Sequence, residues 1–174
     1  MRTTWLLALT LTAVLASPAP ARAQISDNDL GNLVANAVVS YAQFSIFDDV
    51  NIAVSGRSVT LSGWVTMPVK RTEIAERVKK VDGVRDVVND IEVLPVSPTD
   101  SALRTKLARA IYGHPSFWHY AQMASPPIHI VVDRGRVTLA GRVNSEVERM
   151  LAYSLAQVPG TFSVTNRLKL DRER

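Results

Sequence analysis

Apolar residues first fall into register at Leu30, Leu33, Val34, Ala37 and Val38, a spacing that predicts a helix. Asp27 or Asn28 is placed to cap it by accepting its free backbone N–H groups. The period then shortens. Ile52 to Val54 reads as a strand, and Ser55-Gly56-Arg57-Ser58 as a turn in which Gly56 is free to take a positive φ. Val59, Leu61, Gly63 and Val65 alternate with Thr60, Ser62 and Trp64, the pattern of a strand with one buried face. Thr66 and Pro68 suit the start of a second helix, whose buried stripe is Ile74, Val78 and Val81 and which Gly83 ends. Val87, Asn89, Ile91 and Val93 alternate along a last strand.

The same plan then occurs again. Val59-Thr60-Leu61-Ser62-Gly63 returns as Val137-Thr138-Leu139-Ala140-Gly141, and Ile52-Ala53-Val54 as Ile130-Val131-Val132. Val87-Val88-Asn89-Asp90-Ile91 returns as Val164-Thr165-Asn166-Arg167-Leu168, and Gly83 as Gly160. Matched blocks in one order and spacing mark an internal duplication. In the second copy, Asp100 is the expected cap of a helix with Leu103, Leu107, Ala110 and Ile111 on its apolar face. Strands follow near Ile128 to Val132 and Val137 to Val143. Ser145-x-x-Glu148 opens a helix that buries Leu151, Leu155 and Val158, and Val164 to Leu170 is the final strand.

A tight turn makes the first two strands of each copy antiparallel. A right-handed crossover through a helix makes the third parallel to the second. The expected fold is α+β: two αββαβ modules, each a three-stranded mixed sheet with two helices packed on one face. Residues 1–23 read as a leader, 24–94 as the first module, 95–98 as a linker and 99–174 as the second module. Pro95-Val96-Ser97-Pro98 is short and stiff, so the modules should lie side by side.

The leader carries Arg2, an apolar run from Trp5 to Ala16, and Ala21-Arg22-Ala23, the form of a secretory signal cut before Gln24. The run is too short to span a bilayer core of about 30 Å. Arg2 and Arg22 leave with it, so 18 basic residues of the chain's 20 face 16 acidic ones, a net charge of +2. That balance does not mark a nucleic-acid binder. There is no cysteine, which excludes disulfides, thiolate metal sites, a cysteine nucleophile and lipid attachment at an N-terminal cysteine. The mature protein is expected in the periplasm or outside the cell, soluble and not lipidated.

The ordered motifs Ile52-x-Val54, Val59 to Gly63, Gly83-Val84 and Val88-Asn89 resemble the BON family, named for bacterial osmotically inducible periplasmic proteins. Their repeat at Ile130 to Val132, Val137 to Gly141, Gly160 and Thr165-Asn166 resembles a second copy. The second copy departs at Thr161, where the family usually has an aliphatic residue, and in its longer segment before the first strand. The resemblance implies a non-enzymatic, often exported module associated with phospholipid surfaces or envelope protein partners, envelope maintenance and osmotic stress. Some members behave as chaperones.

Seven of the ten aromatic residues after the leader lie between the first helix and first strand of a copy: Tyr41, Phe44 and Phe47, then Tyr112, Phe117, Trp118 and Tyr120. Two readings stand. The rings close the open end of a thin core, which burial per residue favours, or they form a contact surface. Trp118, among polar and bulky neighbours, is the best candidate for exposure. Lys106 and Arg109 lie on the helix face opposite Leu103 and Leu107, and Arg104 flanks them. With Phe117, Trp118 and Tyr120 they make a candidate basic and aromatic patch for anionic headgroups or a protein partner, against the plainer reading of a solvated face. Lys70, Arg71, Arg77, Lys79 and Lys80 give a second basic helix, interleaved with Glu73 and Glu76. Asn89 and Asn166 fall on the apolar side of the last strands, where each amide should be hydrogen-bonded to the adjacent loop.

His114, His119 and His129 lack the spacing of a metal pair, and adjacent Asp48 and Asp49 rarely converge on one cation. No phosphate loop or nucleophile elbow occurs. The reading is a binding protein without cofactor or metal that meets anionic phospholipid. The alternative is a periplasmic chaperone or adaptor. A hydrolase would need His114 or His119 in a pocket with an acidic partner.

Overall fold

The structure is a computed structural model that describes residues 25–171. The expected leader lies outside the described residues. Among the described residues, no helix is long and apolar enough to cross a membrane.

The first module comprises α1 (Asp27–Val39), β1 (Asp49–Ser55), β2 (Ser58–Val65), α2 (Pro68–Lys79) and β3 (Asp86–Val93). The second comprises α3 (Pro98–Tyr112), a 3-10 turn (Pro115–Phe117), the one-turn α4 (Trp118–Ala121), β4 (Ile128–Asp133), β5 (Arg136–Val143), α5 (Glu146–Leu155), β6 (Ser163–Asn166) and β7 (Lys169–Leu170). β1 is antiparallel to β2, and β3 is parallel to β2. β4, β5 and β6 repeat that arrangement, so the mixed αββαβ sheets are as the periodicity predicts. The expected last strand of the second copy is split. β7 also pairs with β5, but Leu168 N–H turns to the side chain of Asn166 instead of a neighbouring strand.

Two caps differ from expectation. Ser26, not Asp27 or Asn28, caps α1 by accepting from Asp29 N at 3.1 Å. Ser97, not Asp100, caps α3, with Pro98 in its first turn, so the helix begins inside the expected linker. A serine one to three residues earlier suffices, because its oxygen reaches the third N–H beyond it. Asp100 is thereby freed to point inward, where its two oxygens accept from Arg134 N and Gly135 N, both at 2.9 Å. In α1, Leu30, Val34 and Val38 are buried, but Leu33 faces outward.

The repeated glycine of the Val-Thr-Leu-x-Gly blocks has a steric cause. Gly63 and Gly141 hold φ of +111° and +102°, and a Cβ on either would overlap a carbonyl oxygen, that of Asp49 or Pro127. The paired strand crosses the backbone too closely for a side chain.

Each module has its own core, around Leu61, Ile74 and Ile91 in the first and Leu107, Ile130 and Leu139 in the second. The loop before β1 joins them. Phe47 packs against the second core, and the carbonyl of Ile46 accepts from Ile130 N, at 2.6 Å, on β4. Phe44 lies against His129, ring centroids 5.4 Å apart, and Arg167 sits 5.9 Å from the Trp64 ring centre. The modules therefore lie side by side, and the edge of β4 is capped by the first module.

Candidate functional site

The segment before the first strand of each module hangs on a buried polar node. In the first module the carboxylate of Asp48, fully buried, accepts from Ser45 N at 2.9 Å and Thr66 N at 2.8 Å, from both hydroxyls, and from Lys70 Nζ at 2.6 Å. Burial pushes its pKa up, but the Lys70 bond, with those of Thr66 and Ser45, outweighs it and holds Asp48 below the usual carboxylate range. Lys70 belongs inside, not to a basic outer face: four residues before Ile74 and eight before Val78, it shares the side of α2 that meets the core.

In the second module the same node is built with other chemistry. The hydroxyl of Tyr120 donates to Glu148 at 2.8 Å and accepts from Asn144 N at 3.0 Å. Burial, then the Glu148 bond, pushes the Tyr120 hydroxyl up to about 12. Glu148 also accepts from Asn144 N at 2.9 Å. Ser145 accepts from Glu148 N, as the capping motif predicts, yet the Glu148 carboxylate serves the loop.

Of the six candidate contact residues, the structure puts three inside. Phe117 is fully buried in the second core and Tyr120 nearly so, because the 3-10 turn and α4 fold the loop back over α3. Arg104 is buried too. It stands at i, i+3, i+7 with Leu107 and Ile111, which is the inward face of α3, and donates to the Val132 carbonyl at 2.6 Å. Burial lowers its pKa, and Asp100, Asp48 and Asp133 supply opposing negative charge. Lys106, Arg109 and Trp118 remain on the surface. Trp118 is 57% exposed and donates Nε1 to the Gly113 carbonyl at 3.1 Å. Lys106 donates to the Pro159 carbonyl at 2.9 Å.

Arg109 and Lys106 face different depressions. Lys106 borders one beside Pro159 and Phe162. Arg109 borders an open groove of about 680 Å³ between the modules. Ile46 and Phe47 of the first module form one wall, and Ala108, Tyr112, Ala121 and Pro126 of the second form the other. Tyr112 gives this groove only its ring, since its hydroxyl is bonded to both the N–H and the carbonyl of Ile128. Gly113, which holds Trp118, also lines the groove.

Charge is divided between the copies. Residues 26–95 carry seven basic and ten acidic side chains, net −3, whereas residues 99–172 carry ten basic and five acidic, net +5. The near-neutral total conceals this. The second copy also exposes apolar side chains on α5 and the following turn: Val147, Met150 and Tyr153, with Phe162 82% exposed. The equivalent positions in the first copy hold Val69, Thr72, Ala75 and Arg85.

The histidines are dispersed. His114 accepts from Ser116 N, His119 lies against Tyr120 and His129 against Phe44. Neither His114 nor His119 hydrogen-bonds a carboxylate among the described residues, and no group there of three or more metal-ligating side chains is placed to hold an ion. Asn89 and Asn166 make equivalent bonds, donating to the Arg71 carbonyl at 3.0 Å and the Arg149 carbonyl at 2.9 Å. Their partners are helix carbonyls, not the adjacent loop. Their amide oxygens accept from Ile91 N and Leu168 N.

The BON domain family model matches residues 26–95 and again residues 99–172. No curated protein matches the chain. Among solved structures, the chain is similar to CdsD, a structural protein of the type III secretion system of Chlamydia trachomatis, at 14% identity and a TM-score of 0.31, covering 82% of this chain and 92% of that one. A structure of the C-terminal domain of CdsD gives 13% identity and a TM-score of 0.30, with 84% and 99% covered. With a duplicated αββαβ fold and the family's motifs in both copies, the chain belongs to the BON-domain family, as a tandem of two BON domains.

Proposed function

We propose that this is an exported, non-enzymatic envelope protein whose second BON domain meets anionic phospholipid surfaces. The observation that carries the reading is that Trp118, Arg109 and Lys106 are all exposed on the domain that holds the positive charge. An exposed indole and a few exposed cations on one small domain suit a membrane interface, each basic contact adding about 1 kcal/mol. BON domains are known in envelope and osmotic-stress proteins, which agrees with the leader-like N-terminus.

The test is co-sedimentation of residues 24–174 with vesicles, with and without phosphatidylglycerol, at low and high salt. Pelleting is expected to need the anionic lipid, to weaken with salt, and to be lost in Trp118→Ala and in Lys106→Glu/Arg109→Glu. No pelleting under any condition overturns the reading.

The exposed Val147, Met150, Tyr153 and Phe162 favour a second reading, an adaptor or chaperone that grips protein partners through α5. Suppression of the aggregation of a reduced model protein by the wild type, lost in Met150→Lys/Phe162→Lys, would support it. Suppression unchanged by those substitutions would end it.

A further inference from the structure

The groove between the two domains shares Arg109 with the proposed membrane surface but has its own chemistry. Its walls are aliphatic and aromatic, and both domains supply them: Ile46 and Phe47 on one side, Ala108, Tyr112 and Ala121 on the other. Its volume of about 680 Å³ lies within the range of small-molecule sites, roughly 300–1,000 Å³. Arg109 is the one charged side chain that lines it. No carboxylate borders it, and among the described residues the Arg109 guanidinium has no hydrogen bond or ion pair. An apolar trough with one uncompensated cation is complementary to a molecule with a single apolar chain and one anionic end.

We propose that this groove binds a single-chain anionic amphiphile of the fatty-acid type. The chain lies between the Phe47 loop and α3, and the carboxylate meets Arg109. The two domains must be together for the site to exist, because neither supplies both walls. Occupancy therefore stabilises their association, since a ligand that binds only the assembled state shifts the equilibrium toward it. The proposal does not depend on docking to a bilayer.

The probe is myristate, titrated calorimetrically into residues 24–174 below its aggregation concentration, with tetradecyltrimethylammonium as a cationic control of equal chain length. Saturable one-to-one binding of myristate is expected, about ten-fold or more weaker for the cation. Ala121→Trp, which fills the groove from an exposed position, is expected to abolish binding, while vesicle pelleting persists. Arg109→Gln is expected to weaken myristate by about ten-fold and leave the cation unaffected. Circular dichroism checks that both variants fold. The proposal is overturned if myristate shows no saturable binding, if the cation binds equally well, or if neither substitution alters the affinity. Binding of a peptide with an apolar C-terminal residue and free carboxylate, without myristate binding, also overturns it. Vesicle pelleting is scored separately, so the two readings fail independently.

Discussion

Lys70 and Glu148 occupy equivalent positions in the two domains, 78 residues apart, and each hydrogen-bonds a buried loop side chain, Asp48 in the first domain and Tyr120 in the second. The duplication kept the location of the tie and reversed the charge of its helix member. In both, the backbone N–H that begins the turn before the helix, Thr66 or Asn144, is bonded to the loop side chain. The two loops are thus held at the same point by different chemistry, and substitutions separate their contributions.

Lys70→Met leaves Asp48 buried with a negative charge and no cation. A loss of about 3 kcal/mol is expected, the usual effect of breaking a buried pair by removing one partner. Urea unfolding followed by circular dichroism checks it. A loss under about 1 kcal/mol would show that the Ser45 and Thr66 bonds alone satisfy the carboxylate.

The same carboxylate gives stability a pH dependence. Asp48 has a lower pKa folded than unfolded, so the folded state binds protons less readily. Its contribution is fully present above an unfolded value of about 3.9 and is lost as pH falls through the lower folded value. Urea midpoints should therefore drop below about pH 4, and Asp48→Asn should flatten that acid limb. An acid limb of equal steepness in the variant would assign it to other groups.

Gly63→Ala and Gly141→Ala each place a methyl group on the carbonyl of the crossing strand, at a φ that alanine rarely adopts. Each should cost at least about 2 kcal/mol, compared with about 1 kcal/mol for Gly56→Ala, which also has a positive φ but whose Cβ meets open space. Thermal melts of the three variants make the comparison. Equal losses at all three would refute the steric cause.

Phe47→Ala removes a first-domain ring from the second domain's core. About 2 kcal/mol is expected, less than for a fully buried ring because Phe47 is half-buried. Hydrogen exchange should quicken at Ile130 N–H, which bonds the Ile46 carbonyl, and along α3 beside the vacated wall. Faster exchange confined to residues 41–65 would mean that the domains are not coupled through this loop.

Much of the architecture is legible in the chain because it depends on neighbours in sequence. The period of two along Val59, Leu61 and Val65 gives the strand and its buried face, and the matched blocks give the duplication. The Gly56-Arg57 and Arg134-Gly135 turns follow from which residues accept a positive φ, although the arginine in each shares that conformation with the glycine. The caps shift by one to three residues since several adjacent polar residues are competent, and packing chooses among them.

The candidate site was legible only in part. Trp118, Lys106 and Arg109 are exposed, as a helical wheel and a polar local context suggest. Phe117 and Tyr120 are not, because their exposure depends on how the loop from residue 113 to residue 127 folds over α3, and Arg104 is not, because it lies on the inward face of α3 against β4. The division of charge between the copies was present in the composition and hidden by the total.

The sequence by itself determined the two modules, their strand order and their turns. These follow from backbone sterics and from periodicities carried by residues a few positions apart. Only the tertiary structure decided that Asp48 meets Lys70, that Tyr120 meets Glu148, and that Phe47 crosses into the other domain to complete a groove with Arg109. These pairs lie 22 or more residues apart, and their geometry comes from packing both cores at once, which no local spacing encodes.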